Sequence, residues 1–160
     1  MLTLTKTYHK RQLRALANSF LTYSRLKNAL TTGPDMTTWI TICDTCKRDG
    51  WETSDKTTTD GEVLASLVEA AAISTTDVRT RRVSCLMGCK QGCNVAIQSH
   101  GKLAYTIGNF EPIKEVATGI VEYATKHAAS ERGQVPFREW PKVIKGHFVT
   151  RHPPIPNEDV

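Results

Sequence analysis

From Thr38 onward the chain switches between two spacings of hydrophobic residues, and each switch marks a new element. Thr38 to Cys43 (Thr-Trp-Ile-Thr-Ile-Cys) is β-branched and aromatic, which predicts a short strand ending on a cysteine. A polar loop follows. Thr59 and Glu62 then form a capping-box pattern, and Val63, Leu64, Leu67, Val68 and Ala71 recur at helical spacing, predicting a helix over residues 60–73. Turn residues Ser74 to Asp77 close it, and Val78 to Ser84 predicts a second strand, interrupted by Arg79, Arg81 and Arg82, that runs into Cys85. Val95, Ile97 and Ser99 alternate with Ala96 and Gln98. After the turn at His100-Gly101, Leu103, Tyr105 and Ile107 alternate with Ala104 and Thr106, the pattern of a β-hairpin. Pro112 marks a helix start, and Ile113, Val116, Ala117, Ile120, Val121 and Ala124 form the strongest amphipathic stripe in the chain.

The predicted order is therefore β-α-β-β-β-α, an α/β fold class. Its first strand, helix and second strand suggest a parallel pair with a right-handed crossover, to which the hairpin adds antiparallel strands. That order is the skeleton of a small thioredoxin-like domain. Residues 36–130 are expected to form it, flanked by a basic N-terminal extension over residues 1–35 and an extended, Pro-rich tail over residues 131–160. From Gly133 the tail carries five prolines together with Phe137, Trp140 and Phe148. It is expected to lie across the domain, with a partner-docking segment as the alternative.

At 160 residues the chain has the length for one core. Its net charge of +5 looks at first like a nucleic-acid footprint. Located along the sequence, however, the charge sits in residues 1–35, with six basic residues against Asp35 alone. The other 125 residues carry 15 basic and 15 acidic side chains, so no nucleic-acid partner is expected for the domain. The extension has weak helical periodicity and a composition superficially like an organellar transit peptide. Gly33-Pro34 and Met36 just ahead of the first strand suggest instead a flexible appendage or an upstream start-codon assignment. No apolar run reaches the length of a membrane span and no secretory-signal pattern opens the chain, which predicts a cytoplasmic protein without a membrane partner.

Five cysteines carry the candidate chemistry: Cys43 and Cys46 in Cys-Asp-Thr-Cys, then Cys85, Cys89 and Cys93 in Cys-Leu-Met-Gly-Cys-Lys-Gln-Gly-Cys. In a reducing compartment such groups serve as metal ligands or redox catalysts more often than as disulfides, and the odd count argues the same way. Soft thiolates select zinc or an iron-sulfur cluster over hard cations. The predicted strands end at Cys43 and just before Cys85. If those strands are parallel neighbours, both groups emerge at one edge of the sheet. Zinc favours two short-spaced pairs, which suits Cys43 and Cys46, but the second pair is x3 and the 38 residues between Cys46 and Cys85 exceed the common zinc-ribbon interval. Thiol-disulfide exchange through Cys43 and Cys46 is a further alternative. Against it, the next helix begins some 14 residues after Cys46 in sequence, so no helix N-terminus directly follows to lower a thiol pKa.

The Cys-x2-Cys pair, the long interval and the Cys85-Leu86-Met87-Gly88-Cys89 loop leading into a hairpin resemble the thioredoxin-like [2Fe-2S] ferredoxins. More narrowly, residues 39 to about 130, with Cys-Asp-Thr-Cys, Cys-Leu-Met-Gly-Cys-Lys-Gln-Gly-Cys-Asn-Val-Ala and Gly-Lys-Leu-Ala-Tyr-Thr-Ile-Gly, are similar to an uncharacterised bacterial family of predicted metal-binding proteins, some encoded near cobalamin-synthesis genes. Arg151-His152-Pro153-Pro154 is similar to that family's C-terminus. The resemblance implies a [2Fe-2S] cluster on Cys43, Cys46, Cys85 and Cys89, and one-electron transfer to a redox partner protein rather than catalysis. It also implies an association with cobalamin metabolism, and it leaves the oligomeric state open, a homodimer included. The first two cysteines are closer than in typical ferredoxins, and Cys93 is an extra thiol. Cys93 is expected to pack as a small apolar residue, the alternative being a ligand in place of Cys46 or Cys89. Lys47, Arg48 and Lys90 beside the ligands predict a potential above that of an acidic plant-type ferredoxin. The five histidines, His9, His100, His127, His147 and His152, show no paired ligand spacing, and His100 reads as a turn residue. Trp51 is expected to pack on the core or shield the site.

Overall fold

In the computed structural model of the chain, residues 37–156 are described. The N-terminal extension lies outside the described residues. Five strands, β1 (Thr38–Cys43), β2 (Val78–Val83), β3 (Val95–Gln98), β4 (Ala104–Ile107) and β5 (Phe148–His152), form one sheet in the order β2-β1-β3-β4-β5. Two α-helices, α1 (Asp60–Ala72) and α2 (Lys114–Ala129), complete the α/β fold. Strands β1 and β2 are parallel, with Thr38 opposite Val78 and Cys43 opposite Val83, and every other pairing is antiparallel. Among the described residues no helix is long and apolar enough to cross a membrane.

Side-chain alternation decides which face of the sheet the helices cover. Ile40 and Ile42 of β1, Val95 and Ile97 of β3 and Ile107 of β4 are fully buried, and Tyr105 nearly so. They meet Leu64, Ala65 and Val68 of α1 and Ala117, Ile120 and Ala124 of α2 in one continuous core. A sheet packed on one side needs this period of two, and the helices supply apolar stripes at i, i+3 and i+4 to match. Both helices also touch each other, so they share that face. On the opposite face Arg81 lies across the strands: its Nε donates to Thr41 Oγ1 at 2.7 Å, and its guanidinium stands 5.7 Å from the Trp39 ring.

His127 of α2 is fully buried against the start of β1. Its Nε2 donates to the Leu103 carbonyl at 2.7 Å, which leaves Nδ1 to accept from the Thr38 hydroxyl at 3.0 Å. The ring thus ties α2 to β1 and to the turn before β4, and its burial lowers its pKa.

The tail differs from the extended segment expected. It folds into two 3-10 turns, Phe137–Glu139 and Lys142–Ile144, and then returns as β5 beside β4. Val135 and Ile144 are buried, Trp140 stacks on Phe148 at 4.2 Å, and Tyr123 meets both rings edge-on. Prolines at Pro136 and Pro141 suit the starts of the two turns, where a missing N–H costs nothing. The aromatic residues supply the apolar surface that draws the segment onto α2 and the sheet.

Candidate metal centre

The parallel pairing of β1 and β2 puts their C-terminal ends side by side, with Cys43 on the last residue of β1 and Cys85 two residues beyond β2. The loop after β1 turns back at once and is fixed by the start of α1. The Gly61 N–H donates to the Cys46 carbonyl at 2.9 Å, and the Thr59 hydroxyl donates to the Asp44 carbonyl. Asp60, itself buried, accepts from the Arg48 N–H at 2.8 Å and from Lys56 Nζ at 3.0 Å. Burial works against its charge, but these donors hold its carboxyl below the usual range. The capping box expected from Thr59 and Glu62 is present.

The helix N-terminus, some 14 residues away in sequence, is therefore adjacent in space to Cys43 and Cys46. Two of its free N–H groups are engaged elsewhere than at a thiol: that of Gly61 binds the Cys46 carbonyl and that of Glu62 binds the Thr59 hydroxyl.

The loop after β2 closes the other side. Thr45 donates its hydroxyl to the Ser84 carbonyl, linking the two loops, and the Met87 N–H donates to Cys85 Sγ at 3.2 Å. Met87 and Cys93 both adopt left-handed backbone, with φ of 57° and 58°. Non-glycine residues are uncommon there, and such residues concentrate where a loop's shape is functional.

Cys43, Cys46, Cys85 and Cys89 line one cavity of about 240 Å³, together with Thr45, Lys47, Met87, Gly88 and Asn94. Its inner wall is buried, with Cys43 and Cys46 only 3% and 5% exposed, while Cys85, Cys89 and Met87 stand at the surface. Burial opposes ionisation of Cys43. The neighbouring Cys46 thiol and the main-chain N–H groups of Leu86 and Thr45 outweigh it, so the Cys43 pKa falls below its ordinary value. For Cys46, burial and the proximity of Cys43 raise the pKa, against the opposing effect of the nearby Asn94 and Cys93 main-chain N–H groups. The cavity thus offers soft donors at its buried end.

Cys93 lies elsewhere. It is fully buried in the core, does not border the cavity, and burial pushes its pKa up to about 12. Among the described residues, no three His, Cys, Asp or Glu side chains converge on a point where a single ion would sit. The four thiols rim a space instead.

Of the basic residues beside the cysteines, Lys47 pairs with Glu52 at 2.9 Å and Arg48 with Glu111 at 3.3 Å, so two of the three charges are offset locally. Trp51 does not reach the core: it stands in the loop, its Nε1 donating to the Thr58 carbonyl at 3.3 Å and Lys47 Nζ 3.8 Å above its ring. His100 is an exposed turn residue, and His147 stacks on Phe110 at 4.5 Å. A larger cleft of about 420 Å³, lined by Tyr105, Phe137, Trp140, Phe148 and Arg151 among others, holds no thiol or carboxylate. Sequence reasoning missed Asn94, which is 1% exposed and borders the cavity. An asparagine directly after a cysteine, ahead of a strand, was the available signal.

The fold and site define a small α/β domain with a four-cysteine cavity at one end of its sheet. Residues 40–154 match the family described as protein of unknown function (DUF1636), and the chain belongs to that family. No curated protein matches the chain, and neither does any solved structure.

Proposed function

We propose that the protein is an iron-sulfur protein holding a [2Fe-2S] cluster on Cys43, Cys46, Cys85 and Cys89, and that it serves as a one-electron carrier. The observation that carries this reading is the shared cavity: four of the five cysteines border it and the fifth does not. The donors are all soft, and nearby main-chain N–H groups help hold the Cys43 pKa below its ordinary value against burial, which favours its thiolate. A single zinc would draw four sulfurs to about 2.3 Å around one point. Thiols standing around a space of about 240 Å³ suit a centre with more than one metal atom.

Such a cluster supplies one-electron oxidation and reduction when bound. The chain's own part is to bury one side of the site and expose the other. Cys43 and Cys46 keep water from the inner side. Cys85 and Cys89, with Met87 88% exposed between them, form the edge at which a redox partner protein docks. The thioredoxin-like strand order with this cysteine placement supports the resemblance to the thioredoxin-like ferredoxins, and the link to cobalamin metabolism is proposed on that resemblance alone.

Anaerobic purification followed by iron, sulfide and zinc analysis tests the reading. Equal iron and sulfide, visible absorption and an electron paramagnetic resonance signal after dithionite are expected. A colourless, zinc-loaded protein overturns it. A metal-free protein that reduces insulin in a Cys43-dependent way does so in favour of thiol-disulfide exchange.

A further inference from the structure

We infer that Asn94 is a built-in hydrogen-bond donor to the Cys46 sulfur and sets the reduction potential of the centre, an inference that rests on the cluster reading above. The Asn94 side chain is 1% exposed and stands in the cavity wall. Its Nδ2 donates to the Gly88 carbonyl and lies 3.8 Å from Cys46 Sγ. Both neighbours are acceptors. Turning the amide over would set its oxygen against a carbonyl and a sulfur, so the contacts assign the nitrogen to this side. Oδ1, on the other side, is buried with no hydrogen-bond partner. The amide's orientation is therefore set at its donor end, by the Gly88 carbonyl and the Cys46 sulfur.

The room for this amide is made by two glycines. A Cβ on Gly88 would stand 2.8 Å from both Nδ2 and Oδ1 of Asn94, and a Cβ on Gly108 would stand 2.7 Å from Oδ1. Real side chains do not approach that closely, so both positions hold the amide flat between two bare stretches of backbone. The main chain of the same residue is engaged at the site too: its carbonyl accepts from the Cys43 N–H at 3.0 Å. Asn94 is a positioning residue for Cys46 and acts on the centre through that sulfur.

Donors to a cluster's sulfurs stabilise its reduced, more negative state, so removing one lowers the potential. Asn94→Ala removes the side-chain donor. Asn94→Asp keeps the shape but presents only acceptors. At a fixed applied potential near the wild-type midpoint, the reduced-to-oxidised ratio is expected to fall roughly threefold to tenfold in Asn94→Ala, a tenfold ratio being ~59 mV for one electron. It should fall further in Asn94→Asp. A second measurement leaves Asn94 unchanged. Asparagine labelled with ¹⁵N in its side chain only is incorporated into the full chain carrying Asn109→Gly, a change the φ of 61° at that position accommodates. Pulsed electron paramagnetic resonance of the reduced protein should then detect a coupled amide nitrogen. A cluster-bearing wild type with unchanged ratios in both variants, or with no coupled amide nitrogen, overturns the role of Asn94 alone. A wild type without iron and sulfide overturns the cluster reading and this inference with it.

Discussion

Gly61 sits in the first turn of α1, where helix propensity and packing make opposite predictions. In an exposed helix, Gly→Ala stabilises by about 0.5–1 kcal/mol through the unfolded chain. Here a Cβ would overlap the Cys43 carbonyl oxygen and stand 2.9 Å from both the carbonyl carbon and oxygen of Asp44. All three atoms are backbone, held by the β1 ladder and by the Thr59 contact to Asp44, so no side chain can swing away. The helix start must retreat. Overpacking of this kind costs about 1–3 kcal/mol, and weakening the Gly61 N–H to Cys46 carbonyl bond adds about 1 kcal/mol. Net of the propensity gain, Gly61→Ala should destabilise the metal-free protein by about 1–3 kcal/mol and lower Tm by several degrees. It should also move Cys43 and Cys46 relative to Cys85 and Cys89 and so reduce bound metal per folded chain. Urea unfolding of wild type, Gly61→Ala and the exposed control Ser66→Ala reads the first effect, and metal analysis of the folded fraction reads the second. Stabilisation by Gly61→Ala to the extent expected of an exposed helix would refute the argument that the helix start clamps the cysteine loop.

His127 is held neutral by burial, so the unfolded chain binds the proton more readily than the folded one. Its contribution is intact above about pH 6.5 and is lost as pH falls below that value, with a slope of up to ~1.4 kcal/mol per pH unit; urea unfolding between pH 5 and 8 should show a slope that His127→Gln removes. Among the thiols of the metal-free protein, alkylation under native conditions should modify the exposed Cys85 and Cys89 first and Cys93 last, since Cys93 is fully buried with its pKa pushed up to about 12. Serine at Cys43, Cys46, Cys85 or Cys89 should abolish metal binding, whereas Cys93→Ser should retain it; iron loss at Cys93 equal to that at Cys46 would contradict the cavity assignment. Phe148→Ala should cost about 2–3 kcal/mol, because it removes both the stack on Trp140 and an anchor of β5, and limited proteolysis of the wild type should leave residues 133–152 attached.

The elements of this fold were legible because each carries its own period. β1 ends at Cys43 and α1 starts at its capping box, as their local sequences say, since propensity and capping act within a few residues. The hairpin and the stripe of α2 follow for the same reason. The strand β5 was not legible: Phe148 to His152 carries no clean alternation, and what recruits it is apolar surface on Tyr105 and Tyr123, distant in sequence, together with nearby Trp140.

The candidate site divides the same way. Spacing alone marked out Cys43, Cys46, Cys85 and Cys89, because paired thiols at short intervals are a local signature, and the strand ends already suggested one edge. Only the tertiary structure decided that these four border one cavity while Cys93, four residues from Cys89, turns into the core. A left-handed residue at Cys93 reverses the chain there, and sequence does not announce a conformation that most residues avoid. Close approach also decided the places of Gly61 against the Cys43 loop and of Asn94 between Gly88 and Gly108. Such contacts join residues 6 to 18 positions apart, depend on the absence of a side chain, and leave no period for a sequence to display.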